Sequence, residues 1–248
     1  MANGKEKQAP KALAIALIVL GAAIIIFAAV LIAGTVGGDK QPQGSIDGSS
    51  ITIEPVAAPD IEDKAFMDGL VTVEKVGRYA GIFVEDGSDE IVSDVFAITV
   101  VNNSDKTLQY AQVIITCGEE EYTFDMSTIP AGARAQVLEK NKKSLPEDLT
   151  GAQTVLDTVT EFQTEPSLYE DVFELSPSQY SISVKNISKN DISGDIYVYY
   201  KTKVGGLYMG GITYRAKISG LSAGEEKNAY ASHFYGDDSE ILFVTYVE

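Results

Sequence analysis

The sequence predicts a mainly β protein, with one N-terminal transmembrane helix followed by two tandem antiparallel β-sandwich domains. Three observations predict it. A single uncharged apolar run lies near the N-terminus, short stretches of alternating apolar and polar residues fill the rest, and one block of these stretches occurs twice.

The predicted transmembrane helix covers residues 12–34. Its core runs from Ala12 to Ala33 without a charge, and at about 1.5 Å per residue it reaches roughly 33 Å, enough to cross a bilayer core of about 30 Å. Lys5, Lys7 and Lys11 precede it. The positive-inside rule therefore predicts a cytoplasmic tail at 1–11 and an extracellular remainder, which makes a single-pass protein of the cell membrane.

A cleaved signal peptide is the alternative to this anchor. Signal peptides carry an apolar region of about 7–15 residues and small residues at the cleavage site. The run in this chain is longer, and Leu31-Ile32-Ala33 places a bulky residue where a small one is needed. We therefore favour an uncleaved anchor.

Charge and cysteine content limit the partners and the compartment. The chain has 36 Asp and Glu against 19 Lys and Arg, a net charge of −17, which repels nucleic acid and anionic lipid headgroups. Cys117 is the only cysteine, so no intrachain disulfide forms, and a bacterial envelope protein is indicated. Cys117 shares the parity of Val113 and Ile115, which predicts a buried side chain, with an intermolecular disulfide as the alternative.

Residues 35–67 are predicted to form a flexible linker, because Gly, Ser, Gln and Asp dominate its first part and leave little to bury. Within it, Ile51 to Pro59 can add one short strand, and its two prolines restrict that strand to a sheet edge.

The β pattern begins after the linker. The runs LVTVEKV, RYAGIFVE, VFAITVV, YAQVIITC, EYTFDM and ARAQVLE follow one another at the spacing of a sandwich or barrel. TVLDTVTEF and EILFVTYV are the predicted final strands of the two domains.

The repeat is visible by position. Adding 84 to six positions of the first block gives residues of matching character in the second: Phe96, Ile98, Val100, Asn102, Ser104 and Leu108 correspond to Tyr180, Ile182, Val184, Asn186, Ser188 and Ile192. Upstream, Tyr79 and Phe83 match Tyr169 and Phe173 at an offset of 90. The sequence therefore predicts one domain at 68–163 and a related one at 164–248.

An Asn-x-Ser turn follows an alternating strand in both copies. Asn and Ser side chains hydrogen-bond turn backbone, so Asn102, Ser104, Asn186 and Ser188 are predicted to be structural turn residues. Both turns also fit the N-glycosylation pattern, which we attribute to the turn itself.

With Leu108 or Ile192 after the turn and Ala-Gly at 131–132 and 223–224, this pattern resembles the immunoglobulin-like accessory domains of bacterial membrane-anchored surface proteins, including the FxLYD-like group. The resemblance covers about two thirds of the chain, although a literal F-x-L-Y-D is absent. It implies two tandem immunoglobulin-like antiparallel β-sandwiches.

No catalytic residue is predicted. Acid–base or nucleophilic chemistry needs groups held within hydrogen-bond reach, and His233, the only histidine, lies in no recognisable triad. The familiar nucleophile, phosphate-binding and zinc motifs are missing from the sequence. We expect no cofactor and no enzymatic activity, with a glycan-active carboxylate pair as the alternative.

Two features remain as candidate binding sites. Asp86, Asp89 and Glu90 lie in one turn and offer the oxygen ligands that calcium prefers. Their spacing does not fit an EF-hand, so we predict no metal site and keep these three residues only as weak candidates. The second feature is an inserted hairpin in the second copy, turning near Val204-Gly205-Gly206-Leu207, which gathers the tyrosines Tyr197, Tyr199, Tyr200, Tyr208 and Tyr214.

Exposed tyrosines suit protein partners and sugars; the alternative is that tyrosine fills strand positions through β propensity. Together these features predict a non-enzymatic envelope protein that binds another envelope protein, a copy of itself or cell-wall glycan. The alternative function is an accessory or sensory subunit of a membrane transport or secretion complex.

Overall fold

The structure is a computed structural model that describes residues 70–247 and the two residues Ile53–Glu54. The predicted cytoplasmic tail and transmembrane helix, and most of the predicted linker, lie outside these residues. Within the described part, no helix has the length and apolar character needed to cross a bilayer.

The described chain is mainly β. Its strands are β1 (Ile53–Glu54), β2 (Val71–Ile82), β3 (Ile91–Asn102), β4 (Leu108–Cys117), β5 (Glu120–Ile129), β6 (Arg134–Leu138), β7 (Gln153–Glu161), β8 (Phe173–Ser178), β9 (Ser181–Asn186), β10 (Ile192–Val204), β11 (Leu207–Met209), β12 (Tyr214–Leu221), β13 (Glu226–Tyr230) and β14 (Ser239–Tyr246). One short 3₁₀ turn, Gly236–Asp238, precedes β14.

The N-terminal half, β2 to β7, has two groups of strands around one core. β3 pairs with β2 and β6, and β4 pairs with β5 and β7. Inward-facing side chains of both groups form a single cluster that includes Phe96, Val113 and Phe124. Phe96 meets Phe124 edge-on, with ring centroids 5.1 Å apart, so the alternation of each strand is used to close the core.

The C-terminal half, β8 to β14, repeats this connectivity. β9 pairs with β8 and β13, and β10 pairs with β12 and β14. The corresponding core cluster includes Ile182, Val198 and Phe234. The predicted final strands are confirmed as β7 and β14, and the repeat seen in the sequence is thus also a repeat of strand pairing.

The structure corrects three details of the sequence interpretation. LVTVEKV and RYAGIFVE belong to one long strand, β2, which continues through Gly77. Phe173 pairs with Asn186 as Val71 pairs with Asn102, so the upstream match of Phe83 with Phe173 is wrong. Cys117, at the end of β4, is half-buried beside the core rather than buried within it.

The predicted edge strand in the linker is confirmed as β1, which pairs with the edge of β2 opposite Arg78 and Tyr79. At the other side of the same sheet, β11 comes from the C-terminal half and pairs in parallel with β6. One sheet of eight strands therefore runs through both halves.

Candidate functional site

The predicted turn residues of the N-terminal half form a buried network of hydrogen bonds. Asn102 is 1% exposed, and its Nδ2 donates to the carbonyls of Lys106 at 2.8 Å and Ile129 at 2.9 Å. Its Oδ1 accepts from the backbone N–H of Ser104 at 3.0 Å and from the Ser104 hydroxyl at 2.8 Å. The amide thus joins the end of β3 to its own turn and to the end of β5.

The C-terminal half contains the same network of hydrogen bonds. Asn186 is fully buried, its Nδ2 donates to the carbonyls of Asn190 at 2.8 Å and Leu221 at 3.0 Å, and its Oδ1 accepts from Ser188 N at 3.0 Å and from Ser188 Oγ at 2.7 Å. The amide of Gly224 donates to the Asn186 carbonyl at 2.9 Å. In both copies the asparagine side chain is enclosed and bonded to backbone, which is the geometry of a structural turn and leaves no exposed amide for a glycan.

The five tyrosines of the inserted hairpin separate into buried and partly exposed residues. Tyr200 and Tyr208 are buried, so a partner reaches neither ring in this structure. Tyr200 donates to the carbonyl of Ser232 at 2.5 Å, and Tyr208 packs into the core of the N-terminal half. A contact role for these two residues does not fit their positions.

The other three tyrosines are partly exposed. Tyr214 stacks on His233 at 4.4 Å and donates to the carbonyl of Val84 at 3.3 Å. Tyr199 stacks face to face on Phe243 at 4.2 Å. Tyr197 alone faces charged groups, with the Arg215 guanidinium 4.9 Å from its ring centroid.

The hairpin turn itself forms as predicted, at Gly205 and Gly206. Val204 pairs with Leu207 across it, and both glycines adopt positive φ values of 58° and 84°. Beyond it the hairpin does not continue as predicted: after Met209 the chain leaves β10, crosses to the N-terminal half as the segment 210–213, and returns to β10 only as β12.

The crossing segment, residues 210–213, is held from one side by a buried lysine. Lys201 has no exposed surface, and its Nζ donates to three successive carbonyls, those of Gly210 at 3.2 Å, Gly211 at 2.9 Å and Ile212 at 2.5 Å. An ammonium group has three donors and no acceptor, so this lysine is fully satisfied by one loop.

A glutamate of the N-terminal half holds the same loop by its amides. Glu85 Oε2 accepts from Gly211 N at 2.6 Å, and Oε1 accepts from Leu138 N at 2.8 Å. Burial raises the pKa of Glu85, against the opposing effect of these backbone N–H groups and of Lys201. Burial likewise lowers the pKa of Lys201, against the nearby Glu85 charge.

Close packing completes this junction. The amide of Ser127 donates to the Gly211 carbonyl at 2.7 Å, and the hydroxyls of Ser127 and Thr213 lie 2.9 Å apart. A Cβ at Gly211 would lie 1.8 Å from the carbonyl oxygen of Asp125. Only glycine fits this position while the loop is docked.

The weak calcium candidates are paired with other side chains of the protein. Lys142 Nζ lies 3.6 Å from Asp86 and also bonds Glu90 at 2.5 Å. Asp89 pairs with His233 of the C-terminal half, with Nε2 2.8 Å from Oδ1. In the described part of the chain no group of three or more His, Cys, Asp or Glu side chains is arranged to hold a metal ion.

Sequence reasoning did not find Lys201, Glu85, Gly211 or Ser127, the residues that build the junction. The extra residue at the irregularity between β10 and β14 is Leu242 of β14, so β10 keeps its alternation and Lys201 lies on the face opposite to that of Tyr200. A charged residue next to two tyrosines then looks like an exposed strand position. Glu85 is separated from its loop by 126 residues, so no local signal connects the two.

A scan against protein-family models gives no match for this chain, and a search of the curated proteins gives none either.

Proposed function

We propose that the protein is a non-enzymatic, single-pass envelope protein. In this proposal residues 68–163 and 164–248 are two tandem immunoglobulin-like β-sandwich domains of the bacterial surface-protein type, held outside the cell membrane by the helix at 12–34. The domains bind another envelope protein, a copy of the chain or cell-wall glycan.

The observation that carries the proposal is the junction of residues 210–213 with Lys201 and Glu85. Lys201 and Glu85 bond to the backbone of one loop, and through it they fix one half against the other. His233 takes part in the same task through Asp89. Because these buried charged groups hold the two halves in one orientation, the surface of the molecule is rigid. A rigid surface lowers the entropy cost of binding a partner.

Rigid docking also bears on how the protein reaches a partner. Two domains that move as one body extend away from the membrane at a fixed angle, whereas flexibly linked domains sample many orientations. We therefore expect the linker at 35–67 to be flexible and the two domains to be rigid relative to each other.

Chemical cross-linking of the protein in its native membrane, followed by mass spectrometry, tests the proposal. We expect stoichiometric cross-links between residues 70–247 and one envelope protein, or between two copies. Turnover of a cell-wall fragment by the purified protein would overturn it. So would a protein that forms no cross-links to another protein and does not bind cell-wall glycan.

Replacement of residues 12–34 by an unrelated transmembrane span separates the proposal from the accessory-subunit alternative. The proposed role requires only an anchor, so the cross-links survive. A subunit that acts through its membrane helix loses its partner on this replacement, because the contacts of that helix are removed.

A further inference from the structure

The edge strands β7 and β14 occupy equivalent places in the two halves. Val113 of β4 pairs with Leu156 of β7, and Val198 of β10 pairs with Val244 of β14, and both Val113 and Val198 lie in the core of their half. Each of these strands ends its half and forms one edge of a sheet.

The edge of β14 is covered. The amide of Val244 donates to the carbonyl of Ser167 at 2.9 Å, so the segment before β8 lies along this edge. Tyr169 meets Tyr246 edge-on at 5.1 Å, and Phe162 meets Phe243 at 5.5 Å. A single residue of β14, Thr245, is exposed.

The edge of β7 is bare. In the part of the chain that the structure describes, β7 pairs with β4 alone, and six of its nine residues are exposed. Val155 is 54% exposed and Val159 is 36% exposed. Unpaired backbone N–H and C=O groups beside exposed valines form a template for another strand.

Natural proteins protect such edges with lysine, proline or a covering segment. Other edges among the described strands follow that rule: β1 pairs with part of β2, β8 contains Pro177, β12 exposes Arg215 and Lys217, and β13 carries Lys227. The edge of β5 is covered by backbone bonds from Lys140 to Thr123 and from Ser127 to Gly211. β7 contains no lysine, arginine or proline. A β-bulge at Asp157 interrupts it and reverses its alternation. Regular pairing holds over Gln153–Leu156 and again over residues 158–160, and a second irregularity follows at Gln109 of β4.

The charge around β7 selects the occupant. Asp157 is exposed and forms no ion pair among the described residues, and the whole chain carries −17. Two copies of β7 would bring acidic strands together, whereas a basic strand is attracted.

We propose that the free edge of β7 accepts an extended peptide strand of a partner protein in which apolar residues alternate with lysine or arginine. This deepens the proposed function and rests on it, since it names the chemistry of the partner. Main-chain bonds to β7 give affinity and Asp157 favours the partner's basic residues. Val155, which pairs with Ile114, packs against the partner's apolar residues, whereas Val159, which pairs with the core residue Ala111, lies on the other face of the sheet.

The probe is a nine-residue peptide of alternating lysine and valine, added to the whole purified chain. Hydrogen exchange resolved to residues 153–161 is the readout. We expect the peptide to slow exchange at these amides and the effect to weaken as salt is raised. A matched peptide with glutamate in place of every lysine should leave exchange unchanged.

Val155→Lys and Val159→Lys place on β7 the lysine that protects other edges. We expect either change to weaken binding of the basic peptide at least about tenfold. The control is Ile187→Lys, a 46% exposed apolar residue just after β9, which should leave binding unchanged.

Three outcomes overturn the inference. Equal binding by the edge variants and the control shows that the peptide binds elsewhere by charge. Protection of 153–161 without peptide at every dilution shows that the chain covers its own edge, and protection that disappears on dilution shows that a second copy does. None of these outcomes requires the cross-linking experiment to fail, so the two proposals fail separately.

Discussion

The Asn-x-Ser turns and the junction between the halves are opposite kinds of structure in one chain. Asn102 and Asn186 make equivalent bonds, with the Oδ1 of each 3.0 Å from the following serine amide. The junction combines two hairpins that extend beyond their counterparts in the other copy, β2–β3 and β10–β11, with Asp125 and Ser127 of β5. The two copies therefore share the Asn-x-Ser turn that closes each half, and they differ in the segments that meet at the junction.

The largest expected effect is at the junction. Lys201→Met leaves three loop carbonyls without a donor and leaves Glu85 without its cation, so the free energy of unfolding should fall by about 3–5 kcal/mol. Guanidinium denaturation measures it. Lys217→Met, at an exposed ion pair with Asp195, should leave the free energy of unfolding almost unchanged. Equal losses in the two variants would show that the buried lysine is not what holds the loop.

Gly211→Ala tests packing at the same place without changing charge. A methyl group 1.8 Å from the Asp125 carbonyl forces the loop to move, at a cost of about 3 kcal/mol. Gly205→Ala is the matched control, since its φ is 58° with nothing within 4 Å, and it should cost about 1 kcal/mol. Faster hydrogen exchange at Met209 and Gly210 should accompany the first change and not the second.

The turns should respond equally in the two halves. Asn102→Ala and Asn186→Ala each leave buried carbonyls and a serine amide without a partner, at a cost of about 2–3 kcal/mol. Because the two networks share no residue, the free energy of unfolding of the double variant should fall by the sum of the two single losses. Asn103→Ala, which removes an exposed bond to Thr72, should cost under about 1 kcal/mol. A large loss in one half and none in the other would contradict the equivalence.

The junction should also make stability depend on pH. The raised pKa of Glu85 means that its contribution to stability is present below the pKa of an unfolded glutamate and is lost as pH rises through about 7. The lowered pKa of Lys201 means that its contribution is present above the pKa of an unfolded lysine and is lost as pH falls through about 7.

The free energy of unfolding, relative to the double variant Glu85→Gln/Lys201→Met, should therefore pass through a minimum near neutral pH. Thermal unfolding between pH 5 and 9 measures it. A maximum near neutrality would show that attraction within the pair exceeds the cost of burying it.

Much of the fold follows from local pattern. Alternation predicted most of the strands, including β1 as an edge strand. The Asn-x-Ser spacing predicted turns, and in the structure the buried amides of Asn102 and Asn186 bond to backbone carbonyls there. These features need only neighbouring residues and the period of a strand.

The junction required information that no local pattern contains. Tyr208 looks like an exposed strand residue because its core belongs to the other half. Lys201 is buried because residues 210–213 cross over it and accept its three hydrogen bonds, and Gly211 resembles an ordinary loop glycine until the Asp125 carbonyl is brought against it. Such contacts follow from the packing of segments far apart in sequence.

A distance distribution between the two halves tests the central claim most directly. Spin labels at Asp105 and Lys189, both exposed and one in each repeated turn, would be placed in a Cys117→Ser background of the whole chain and measured by double electron–electron resonance. Interlocked halves predict one narrow distribution that broadens in Gly211→Ala. A broad distribution in the parent protein, unchanged by that substitution, would contradict the account.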